Sequence, residues 1–137
     1  MKKNLLFAIL GFALILFTTS CSKDDPDNGG NNNTSIEGKW VGNYNNGLGG
    51  PLFYLAATFN AGGTLLVQAN NNSAPDIANG TWTMGADSVR ATFTYVGGTA
   101  ATYSIAGKYS SNSNVMVGTI GLGTSTSGAG IFTITKE

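Results

Sequence analysis

Residues 36–137 predict an all-β fold, a single small eight-stranded antiparallel up-and-down barrel. Three observations point there. Apolar side chains recur at every second position in eight short segments. Clusters of Gly, Asn and Ser separate those segments and suit tight reversals. No window carries an apolar stripe at helical spacing for more than a turn or two.

The first segment, Ile36–Tyr44, puts Ile36, Trp40 and Tyr44 on one face and Glu37, Lys39 and Asn43 on the other. Asn45-Asn46-Gly47 ends it. The second, Pro51–Phe59, is apolar on both faces from Leu52 onward, which predicts a strand covered outside as well or belonging to a contact surface. Asn60 to Gly63 turns the chain into the third, Gly63–Ala69, and Asn70 to Ser73 ends that one. The fourth, Gly80–Met84, opposes Trp82 and Met84 to Thr81 and Thr83. After Gly85-Ala86-Asp87 the fifth, Ser88–Val96, opposes Val89, Ala91, Phe93 and Tyr95 to Ser88, Arg90, Thr92 and Thr94. Gly97-Gly98 leads to the sixth, Ala100–Tyr109, where Ala101, Tyr103, Ile105 and Tyr109 oppose Thr102, Ser104 and Lys108. Val115–Gly121 and Ala129–Lys136 complete the set, with the Gly123–Gly128 stretch between them. One apolar and one polar face per strand is how an antiparallel sheet sits on a single core. Sequential hairpins of this kind curl and close, which removes both exposed edges; a two-sheet β-sandwich is the alternative. Eight strands enclose room for their own side chains or for one small ligand.

The first 35 residues are different in kind. Lys2 and Lys3 precede an apolar run, Leu5–Phe17, and the small residues Thr18, Thr19 and Ser20 lead to Cys21. Charge, apolar stretch and small-residue cut site are the layout of a helical signal peptide over 1–20. As a helix the thirteen apolar residues span roughly 20 Å, short of the hydrocarbon core of a bilayer. Residues 21–35 then read as an anchor cysteine and a flexible linker rich in Asp, Asn and Gly, with nothing apolar from Ser22 to Asn33 to bury.

Cys21 behind small residues resembles a lipobox, in which the cysteine carries fatty acyl (palmitate-type) chains and becomes the mature N-terminus. Thr18 stands where that box usually has Leu, so ordinary cleavage to a soluble periplasmic form is the alternative. The Cys21-Ser22-Lys23-Asp24-Asp25 start is similar to lipoproteins of the Bacteroidetes type, and that resemblance implies an outer-membrane anchor exposed at the cell surface, or else at its periplasmic face. Gly38-Lys39-Trp40 on the opening strand resembles the Gly-x-Trp that begins lipocalin-like (calycin) barrels, where the tryptophan closes one barrel end. The final strand, Gly130–Lys136, is similar to the end of small bacterial lipocalin-like domains. The Thr-Asp-Tyr element of that family is absent, and Lys136 is the residue available to cover Trp40 in place of a late arginine.

Composition narrows the chemistry. The chain has no histidine and one cysteine, so it forms no internal disulfide, no His-based triad and no Cys/His zinc site. Residues 36–137 hold four basic and four acidic side chains, without the basic surplus of a nucleic-acid binder. Glu37, Asp76, Asp87 and Glu137 are not paired on one strand face, and no Gly-x-Ser-x-Gly occurs, so the expectation is a non-enzymatic protein without a metal or cofactor. Arg90, the only arginine, falls on the outward face. Trp40, Trp82, Phe93 and Tyr103 are the candidates for lining an apolar pocket or filling the core. Asp87-Ser88-Val89 resembles the O-glycosylation site of the same bacterial group, with Ser88 as acceptor.

The expected function is therefore membrane-anchored binding of a small apolar ligand in a lipocalin-like barrel. The alternative is a protein- or glycan-interaction module with a filled core, acting through loops such as Asn70–Ser73 and residues 122–128. Replacing Cys21 by Ala is expected to release the protein from membranes on fractionation; unchanged membrane retention would count against the lipid anchor.

Overall fold

The computed structural model describes residues 35–47, 49–98 and 100–137. The signal peptide at 1–20, Cys21 and the linker up to Thr34 lie outside the described residues. The alternating segments form eight strands: β1 (Gly38–Asn45), β2 (Phe53–Phe59), β3 (Thr64–Gln68), β4 (Ile77–Gly85), β5 (Ser88–Tyr95), β6 (Thr102–Ser110), β7 (Val115–Leu122) and β8 (Gly130–Lys136). Each pairs antiparallel with its sequence neighbour, and β8 returns to pair with β1, so the sheet is a closed barrel rather than a sandwich. Closure runs from Trp40 opposite Lys136 to Asn45 opposite Ile131. The only helical turn among the described residues is a short 3-10 turn at Ala61–Gly63, between β2 and β3.

Strand parity follows the sequence pattern. Trp40, Leu55, Ala57, Phe59, Leu65, Val67, Val89, Ala91, Phe93, Ile105, Met116, Ile120, Phe132 and Ile134 are buried in one interior cluster. Two expectations need correction. β4 begins at Ile77, three residues earlier than Gly80, because Ala78 pairs with both Val67 and Tyr95 and is fully buried. Ser104, read as solvent-facing, is buried on the outer wall under the 123–129 connection. Its hydroxyl donates to the Gly123 carbonyl at 2.6 Å, so at its 2.8 Å contact with Thr92 the Ser104 oxygen accepts. Thr119 Oγ1 donates to the Thr126 carbonyl at 2.6 Å, tying the same connection to β7.

The barrel has two unlike ends. At the end where β1 begins, Ile36 and Trp40 are completely buried. The indole N–H of Trp40 donates to the Ile36 carbonyl at 2.6 Å, folding the entering chain across the opening. Rings then follow edge to face across this end. Tyr109 and Trp40 lie 5.4 Å apart, Trp40 and Phe59 6.4 Å, and Phe59 and Trp82 5.6 Å, all near perpendicular. That geometry sets ring edges against ring faces, the favourable arrangement of aromatic quadrupoles. Outside, Lys136 Nζ donates to the Ser35 carbonyl at 2.8 Å and stands 6.0 Å from the centre of the Trp40 ring, at the limit of a cation–π contact. Trp82 Nε1 donates to the Asn60 carbonyl at 3.0 Å, so neither indole N–H is orphaned.

Phe132 fills the middle of the barrel because two adjacent strands carry no side chain there. A Cβ at Gly107 would lie 3.0 Å from its ring, and one at Gly118 would lie 2.6 Å from it. β6 and β7 pair at these two glycines, which face each other in register. Beyond Phe132 the interior is no longer filled with side chains.

Trp40→Ala removes the centre of this plug and is expected to cost about 3–5 kcal/mol of stability. A denaturant melt showing a negligible loss would contradict its core role.

Candidate functional site

At the opposite end, where β1 finishes, the barrel holds a cavity of about 610 Å³. It opens between the connections 46–52, 69–76, 96–101 and 123–129, which link the strands at that end. Its apolar depth is made by Leu55, Phe93 and Ile120, from β2, β5 and β7. Tyr44, Tyr95 and Tyr103, at the open ends of β1, β5 and β6, are half-buried around it. Phe93 and Tyr103 sit opposite each other in the β5–β6 register and stack at 6.1 Å with 25° between planes. Tyr95 stands across both, at 81° to Phe93 and 86° to Tyr103.

Asp76 is the charged member of the lining. Its carbonyl accepts the Ala69 N–H at 3.0 Å, which closes the 69–76 connection and holds the residue at the mouth. Its carboxylate accepts from Asn70 Nδ2 at 2.8 Å. The carboxylate can only accept, so this bond fixes which end of the Asn70 amide faces it. Asn70 Oδ1 is thereby left buried without a donor. Gln68 Nε2 donates to the Asn70 carbonyl at 2.8 Å, steadying the same corner.

Burial raises the Tyr44 and Tyr95 hydroxyls above the ordinary tyrosine range, with smaller contributions from neighbouring tyrosines and from Asp76. The shift is large at Tyr95. Elsewhere, at the plugged end, the Ser88 hydroxyl donates to the Asp87 carboxylate at 3.0 Å and, with Lys108, lowers that exposed carboxyl. The Glu137 carboxylate, 2.8 Å from Lys39, raises the Lys39 ammonium.

The four aromatic candidates thus divide. Phe93 and Tyr103 line the cavity, whereas Trp40 and Trp82 belong to the plug at the other end. Ser88, the glycan acceptor candidate, is exposed at the start of β5. Arg90 is exposed on the outer wall, beside a shallow groove of about 250 Å³ with Thr83, Thr92, Ser104, Thr124 and Thr126. Cys21 lies outside the described residues. Tyr44, Tyr95, Leu55, Ile120 and Asp76 are lining residues that sequence reasoning did not name as a site. For three of them a signal existed: Tyr95 ends a strand, Tyr44 is next to the end of one and Asp76 precedes one, all on the same side of the barrel. Among the described residues no three acidic, cysteine or histidine side chains gather as metal ligands, and no helix is long and apolar enough to cross a membrane.

None of the known protein families, curated proteins or solved structures compared with the chain matches it.

A buried tyrosine with a raised pKa supports the fold below the pH at which the unfolded tyrosine ionises, and that support is lost as pH climbs toward the folded value. Above about pH 10, the ordinary tyrosine value, the melting temperature should therefore fall, and Tyr95→Phe should flatten the fall. Equal alkaline slopes for the two proteins in thermal melts would remove Tyr95 from this role.

Proposed function

We propose that this protein is a membrane-anchored lipoprotein whose barrel binds a small apolar molecule, without catalysis, in the cup at its open end. The cavity carries this reading: about 610 Å³ lies inside the roughly 300–1,000 Å³ typical of small-molecule sites. Leu55, Phe93 and Ile120 give it an apolar base, and the tyrosines give it polar tips at the rim. Val96 and Leu122, both in its lining, are 65% and 62% exposed and add apolar surface at the approach to the cup. Trp40 at the plugged end, beneath Lys136, supports the lipocalin-like reading of Gly38-Lys39-Trp40.

The anchor rests on the sequence. Cys21 after the apolar leader is the proposed acylation site, and the acidic run behind it favours export to the cell surface over the periplasmic face of the outer membrane. Two or three acyl chains hold a protein on a membrane far more firmly than one. The balanced charge of the domain and its lack of histidine or paired acids favour binding over catalysis and argue against nucleic acid as a partner.

Native mass spectrometry of the protein from its own host tests the reading. A retained small apolar molecule is expected. Ala101→Trp, which places a large ring at the mouth, should lose that mass and melt at the temperature of the parent stripped of its ligand. A retained sugar, insensitive to Ala101→Trp, would transfer the function to the groove beside Arg90 and Thr92 and to the interaction-module alternative. No retained molecule with either protein would count against the cup.

A further inference from the structure

We propose that the cup selects an organic cation: an apolar or aromatic body that fills the interior, with a protonated amine at the rim beside Asp76. This deepens the reading of the cup as a small-molecule site and rests on it.

The distribution of charge leads to it. Lys39, Arg90, Lys108 and Lys136, with Glu37, Asp87 and Glu137, sit at the plugged end or on the wall near it. Among the described residues Asp76 is the one charged side chain at the open end. It has no ion-pair partner among those residues, since the two salt bridges join Lys39 to Glu137 and Lys108 to Asp87. A carboxylate ligand entering the cup would meet no cation and one fixed anion. An ammonium would meet the reverse.

Asn70 Nδ2 holds the Asp76 carboxylate at 2.8 Å and is its one side-chain donor among the described residues. A carboxylate has further lone pairs, which leaves room for an amine N–H. The walls add to the preference. Phe93, Tyr95 and Tyr103 are mutually packed rings whose faces carry negative potential, and Tyr44 completes the aromatic rim. Ring faces and a lone carboxylate together disfavour fatty acids and favour amines.

Three probes of one shape separate charge from apolar fit: 3-phenylpropylammonium, 3-phenyl-1-propanol and 3-phenylpropanoate. Titrated into the full chain at neutral pH and followed by calorimetry, the ammonium should bind about tenfold more tightly than the carboxylate, with the alcohol between them. Asp76→Asn keeps the shape of the side chain and should erase most of the ammonium's advantage. Its affinity for the alcohol should change less than its affinity for the ammonium, and an unchanged thermal melt shows that the variant is folded. Carboxylate binding equal to or tighter than ammonium binding would overturn the proposal, as would an ammonium advantage that survives in Asp76→Asn. Alcohol and ammonium binding equally would leave the cup as an apolar site and end the case for a cation. Failure of all three probes to bind would overturn the cup itself.

Discussion

The pairing of β1 with β8 is the constraint on which the rest of the molecule depends. It joins strands from opposite ends of the domain, with Trp40 set against Lys136 and Tyr44 against Phe132. Such a contact yields nothing until nearly the whole chain has been ordered, which is why folds rich in distant pairings form slowly. Once made, it leaves no strand with an unpaired edge for another chain to extend. It also places Lys136 over the Trp40 ring and Glu137 beside Lys39, so the plug is assembled by the same event that closes the wall.

Closure makes an interior but does not say how it is filled. At one end Ile36, Trp40, Phe59, Trp82, Tyr109 and Met116 take up the space, and the entering chain is folded over them. In the middle, Gly107 and Gly118 make room for the Phe132 ring, which crosses toward them from β8. At the other end the inward side chains are Leu55, Phe93, Ile120 and the tyrosines, and the strands outrun the packing. The cup is what remains when aromatic volume is concentrated at one end of a short barrel.

Alternation made all eight strands legible, because an apolar residue at every second position has one structural meaning over five to nine residues. The start of β4 was not legible. Asn79-Gly80, after Asn70 to Ser73, Pro75 and Asp76, has the composition of a long turn, yet pairing with β3 and β5 on either side carries Ile77–Asn79 into the sheet. Ser104 illustrates a second limit. Its parity is outward, as its place between Tyr103 and Ile105 implies, but a connection arriving from β7 buries it. The same gap explains the divided aromatics. Parity shows that Trp40, Trp82, Phe93 and Tyr103 all point inward, but not at what height. Height follows from strand stagger, which only the register between strands supplies.

Because its first and last strands are hydrogen-bonded neighbours, the barrel is a ring in connectivity as well as in space. Ser35 and Lys136 touch, so a short peptide could join the two ends of the domain without moving a strand. A permuted chain cut at the Ala86-Asp87 turn would retain all eight ladders, since that turn lies on the plugged end, away from the mouth. Where the polypeptide starts is therefore separable from what the domain holds.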